Sequence, residues 1–75
     1  MTAKEWIDAY AAELGTDPPT AEEFKEILDL AAEAAHASER VAAPVACWLA
    51  ASAGRPLDEA LQLARDIPAT GDGAP

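Results

Sequence analysis

The chain reads as an all-α protein, a compact four-helix bundle, on three observations. Apolar residues recur at helical rather than alternating spacing, capping signals precede the first two apolar runs, and Gly or Pro closes three of the four runs. Loops between the runs are short, which favours antiparallel neighbours.

Thr2-Ala3-Lys4-Glu5 has the form of a capping box, in which the Thr hydroxyl accepts an orphan backbone N–H and Glu5 reaches back to the cap. Behind it Trp6, Ile7, Tyr10, Ala11 and Leu14 share one face of a helix over 3–14, and Gly15 ends it. Asp17-Pro18-Pro19 is a stiff connector, because neither proline donates a backbone hydrogen bond.

Thr20-Ala21-Glu22-Glu23 repeats the box and opens the longest helix, over 21–39. Phe24, Ile27, Leu28, Ala31 and Ala35 form its apolar face, flanked by Leu30 and Ala34. Pro44 suits the first turn of a third helix over 44–53, where a missing N–H costs nothing. Val45 to Ala53 holds one polar residue, Ser52, and a helix apolar on every side is a buried one. The expectation is a central inner rod with the other helices around it, leaving no room for an interior reaction chamber.

Arg55-Pro56-Leu57 starts a fourth helix over 56–67, with Leu57, Ala60, Leu61, Ala64 and Ile67 facing inward. Residues 1–68 thus form one domain, and 69–75 (A-T-G-D-G-A-P) form a disordered tail with nothing to bury. The expected core is Trp6, Ile7, Tyr10, Leu14, Phe24, Ile27, Leu28, Leu30, Val45, Trp48, Leu49, Leu57, Leu61, Leu63 and Ile67. It is thin, because 51% of the residues are apolar but twenty of them are alanine. A domain of 75 residues has little stability to spare, although alanine lets helix axes approach closely.

Charge narrows the function. Five basic residues stand among fourteen acidic ones, a net charge of −9, which opposes nucleic acid and anionic membrane surfaces. One cysteine, Cys47, excludes an internal disulfide and a multi-thiolate metal site. No apolar run approaches the length of a membrane span and no secretory signal is visible, so the expected setting is the cytoplasm.

Asp29, Glu33, His36 and Arg40 fall at i, i+4, i+7 and i+11, one stripe along the second helix. The plain reading is a solvated face, or Arg40 turned inward onto the carbonyls ahead of Pro44. The sharper one is a ligand- or partner-binding site in which His36 and Arg40 meet an anionic group. Glu33-x-x-His36 matches half of a di-metal bundle motif, but that site needs a second such pair and two more glutamates, and the chain has one histidine. No metal and no cofactor are expected.

Cys47, on an apolar helix without a nearby base, reads as a small hydrophobe. Ser38 and Ser52 lack a positioned His and acid, so no catalytic residue is assigned. No Asp-Ser pair of the kind found in phosphopantetheine carriers occurs. Trp6, Tyr10 and Trp48 read as core rather than as a ligand pocket.

Glu5-Trp6-Ile7, Asp29-Leu30-Ala31, Ala34-Ala35-His36, Arg40 and Ala42-Ala43-Pro44 together resemble a small uncharacterised actinobacterial helical domain family. That family is in turn similar to the C-terminal extension of molybdopterin-guanine dinucleotide biosynthesis proteins. The chain departs from its pattern at Val41, where a proline is usual, and at Ala46-Cys47-Trp48, where Thr-Thr-aromatic is usual; both hydroxyls able to bond His36 or Arg40 are gone. The resemblance implies an accessory role in molybdenum cofactor biosynthesis, with a guanylyltransferase or a molybdoenzyme as partner. The transferase's Gly-rich loop is absent, so its catalysis is not implied.

The expected function is a non-enzymatic acidic protein-interaction module, monomeric or weakly homodimeric. The alternative is a small-molecule binder using His36 and Arg40.

Overall fold

The computed structural model describes residues 1–68; the tail expected over 69–75 lies outside the described residues. Four helices follow in order: α1 (Ala3–Leu14), α2 (Ala21–Ala37), α3 (Ala42–Ala53) and α4 (Leu57–Arg65). The all-α, four-helix architecture is as the sequence predicts, and no strand occurs among the described residues.

Local chemistry explains the ends. Thr2 Oγ1 accepts from Glu5 N–H at 3.1 Å while Thr2 N–H donates to Glu5 Oε1 at 2.8 Å. Thr20 and Glu23 repeat that reciprocal pair at the same distances. Each box satisfies two orphan donors, and losing such a cap costs about 1 kcal/mol. Gly15, at φ 78°, closes α1: its N–H donates to Ala12 O at 3.1 Å and Thr16 N–H to Ala11 O at 3.0 Å. Left-handed backbone of this kind favours glycine.

The α2–α3 junction differs from the expected one at both of its helix ends, and α4 is shorter, Leu57–Arg65 rather than 56–67. α3 begins at Ala42, so Pro44 is the third helical residue, still within the turn whose N–H groups have no intrahelical acceptor. α2 stops at Ala37, where Ser38 turns its hydroxyl onto Ala34 O at 3.0 Å. Arg40 therefore lies in the α2–α3 turn, whose backbone is closed by Ala42 N–H to Glu39 O and Ala43 N–H to Arg40 O.

α2 is the element against which both α3 and α4 pack. Serving two neighbours broadens its apolar face and rotates it: Leu30 is buried, Ile27, Ala31 and Ala34 are half-buried, and Leu28 is exposed. α4 lays Leu57, Ala60, Leu61 and Ala64 inward as predicted, with Leu61 buried. Ile67 lies past the end of α4 and is exposed. Glu33 and Arg65 bridge α2 to α4 at 3.6 Å.

The core is far smaller than expected. Ala11, Leu30 and Leu61 alone are buried among the described residues. Trp6, Tyr10, Leu14, Leu28, Val45, Trp48, Leu49, Leu63 and Ile67, all assigned to the core by pattern, are exposed.

α3 shares with α2 the largest helix contact in the molecule, so its place in the packing holds. Its expected enclosure does not, because no residue of α3 is buried. The half-buried side is Ala42, Ala43, Ala46, Cys47 and Ala50, small side chains that let the two helices approach closely. The large residues of α3 point the other way. α1 has no extensive contact with any other helix.

Candidate functional site

The predicted stripe is divided by the fold. Asp29 accepts from Lys25 Nζ at 2.9 Å, and Glu33 faces Arg65. His36 stays on the last turn of α2 and is exposed, while Arg40 is exposed in the turn beyond it. Lys4, Lys25, Arg55 and Arg65 each sit within salt-bridge distance of a carboxylate, at 2.9 to 3.6 Å. Arg40 is the one basic side chain with no such partner among the described residues. It does not turn inward onto the carbonyls ahead of Pro44.

A cleft of about 630 Å³ opens beside α3, which overturns the expectation of no internal space. It lies between the 17–20 connector, the first half of α2, the end of α3 and the start of α4, with Ile27, Leu30 and Leu57 among its apolar lining. Of its polar side chains, Glu23 accepts from Thr20 N–H and Arg55 Nη1 donates to Glu59 at 3.1 Å, and the Asp17 carboxylate also lines it.

The Cys47 thiol reaches toward Ile27 O at 3.9 Å, and burial pushes its pKa upward, away from the thiolate. Thirteen residues of helix separate Glu23 from His36, about 20 Å along the axis. His36 is therefore not among the residues lining the cleft, whose carboxylates are Asp17 and Glu23. Among the described residues no three His, Cys, Asp or Glu side chains converge as metal ligands.

The prominent surface feature is apolar. Val41, Val45, Trp48 and Leu49, spaced i, i+4, i+7 and i+8, line one side of α3 and its approach, with exposures of 70%, 56%, 66% and 57%. α3 itself carries no charged residue. On α1 the large side chains also face out: Trp6 and Tyr10 form a tilted pair with ring centroids 5.2 Å apart, and Leu14 continues the stripe. Ile7 and Ala11 take the inner side of α1.

Trp6 and Tyr10 line a surface hollow with Ala9 and Glu13, apart from Trp48, and none of these three aromatic residues is buried. The sequence carried a signal for the α3 stripe, since its large residues lie on one side and alanines on the other. Uniform hydrophobicity concealed it.

A family described as a domain of unknown function, DUF6457, matches residues 1–70. The chain belongs to this family. No curated protein and no solved structure matches it. The family match takes in all four helices, so the α3 stripe, the His36–Arg40 end and the cleft all lie on the shared domain. No described helix is long and apolar enough to cross a membrane.

Proposed function

We propose that this chain is a cytoplasmic, non-enzymatic, acidic helical module that works by docking on protein. The carrying observation is the outward stripe of Val41, Val45, Trp48 and Leu49 on a charge-free helix. Contiguous exposed apolar surface on a small domain is a mark of an interaction site, and Trp is enriched among residues that dominate binding energy. Burial raises the pKa of the Cys47 thiol in the cleft, away from the nucleophilic thiolate, which supports a binding role over thiol catalysis.

The biological setting we assign is molybdenum cofactor maturation, with a guanylyltransferase or a molybdoenzyme as partner. It rests on the resemblance of Glu5–Ile7, Asp29–Ala31, Ala34–His36, Arg40 and Ala42–Pro44 to a domain family that is itself similar to the C-terminal extension of molybdopterin-guanine dinucleotide biosynthesis proteins. The test is titration of the labelled chain with a purified guanylyltransferase carrying that extension or lacking it. Shift changes along α3, lost in Trp48→Glu, support the reading; an unchanged spectrum at saturating transferase removes the pathway.

One observation favours a second reading, in which His36 and Arg40 receive an anionic group such as a phosphate. Arg40 has no carboxylate partner among the described residues, and His36 is exposed one short turn before it. Titration with phosphate and with nucleotides would move the His36 and Arg40 resonances. Silence at saturating ligand ends this alternative.

A further inference from the structure

Two helices of one chain carry unpartnered apolar faces, and within that chain they do not pack on each other. α1 presents Trp6, Tyr10 and Leu14 outward, while α3 presents Val41, Val45, Trp48 and Leu49. The chain has no extensive α1–α3 contact. We infer that the protein pairs as a two-fold homodimer in which α1 of each copy covers the α3 stripe of the other. This rests on the docking reading above and names the first partner as a second copy of the chain.

Helices of about 12 residues are marginal in water and draw most of their stability from tertiary packing. α1 has 12 residues and touches the rest of its own chain only sparingly. Its own chain covers Ile7 and Ala11 but leaves the Trp6, Tyr10 and Leu14 face open, and α3 has an open face of the same length, also 12 residues. Each helix is about 18 Å long, so one spans the other end to end.

Charge then selects the pairing. α1 carries Glu5, Asp8 and Glu13 against one lysine, Lys4. Two α1 helices laid together would set acid against acid, whereas α3 has no charge to oppose it. Crossing α1 onto the partner's α3 keeps the acidic residues of the two copies apart and desolvates none on the α3 side.

Complete coverage of the seven exposed side chains would remove on the order of 800 Å² per copy, which is the contribution each partner makes to an interface of standard size. A two-fold axis uses both faces at once, because the α1–α3 contact is repeated by symmetry as α3–α1. The connector at 15–20, with Gly15 at its start, sets where α1 projects.

Sedimentation equilibrium on the purified chain is the test. The expected mass at high micromolar concentration is twice the 7.8 kDa of one chain. Trp48→Glu and Trp6→Glu, both at exposed positions, should each weaken the dimer tenfold or more while far-ultraviolet dichroism keeps the helix content. In a Cys47→Ala background, mixing Tyr10→Cys with Val45→Cys protein under mild oxidation should yield a mixed disulfide in excess of either self-linked dimer.

A chain that stays at 7.8 kDa at every concentration overturns the inference. So does a dimer that survives both glutamate variants, or one that forms no mixed disulfide. Monomeric protein that still binds the guanylyltransferase would sink the dimer and keep the docking reading. A dimer indifferent to that enzyme would do the reverse for the assigned pathway.

Discussion

At the scale of single residues, size and orientation matter more than hydrophobicity. Leu30 and Trp48 are both large and apolar, yet Leu30 is 3% exposed and Trp48 is 66% exposed. Leu30→Ala should cost about 2–5 kcal/mol, which is most of what a core this size supplies, so cooperative melting should be lost or shifted far down. Trp48→Ala should alter the stability of a single chain by no more than about 0.5 kcal/mol. Chemical denaturation of dilute samples checks both. Thr20→Ala removes the acceptor for Glu23 N–H and should cost about 1 kcal/mol by the same measurement.

Cys47 supplies a pH dependence whose sign follows from its raised pKa. Below the ordinary value of 9.0 the folded and unfolded chains both keep the thiol proton, and no dependence arises. Above it the unfolded chain releases its proton first, so stability falls with rising pH until the folded thiol titrates too. Alkaline denaturation midpoints should show this fall, and Cys47→Ala should remove it. Alkylation of the native thiol should also be slower than in the denatured chain.

Among the elements, α2 and α1 are opposites. α2 supports two neighbours and should hold the slowest-exchanging amides. α1 keeps good caps at both ends, yet caps satisfy termini and do not bury a face. Its amides should exchange much faster than those of α2 in Trp48→Glu, and regain protection in the native chain as concentration rises. Equal protection of α1 in both proteins at every concentration would show that its own chain already stabilises it. The Glu33–Arg65 bridge between α2 and α4 is about half exposed, so Arg65→Ala should change stability by less than about 1 kcal/mol.

At the scale of the molecule, the imbalance between three buried side chains among the described residues and a long apolar surface is the property to explain. A partner that binds only the folded form raises apparent stability by mass action. If that partner is a second copy, the thermal midpoint should climb with protein concentration; a midpoint that stays constant over a hundredfold range denies it. A net charge of −9 opposes non-specific association of such a surface without covering it.

Helix number, order and most boundaries were legible in the sequence, because caps, glycines, prolines and a 3.6-residue period act within a few residues of chain. The inward stripe of α4 was legible too, since its apolar and polar sides differ in kind. α3 was not, because Val45, Trp48 and Leu49 differ from Ala43, Ala46 and Ala50 only in bulk, and a periodicity of polarity has nothing to register. His36 and Arg40 looked like one helical stripe until Ser38 ended the helix between them. Local chemistry alone thus determined where the helices are. Which side of each one faces a neighbour was decided only by tertiary packing, because close approach to α2 selects the small side chains and leaves the large ones outside.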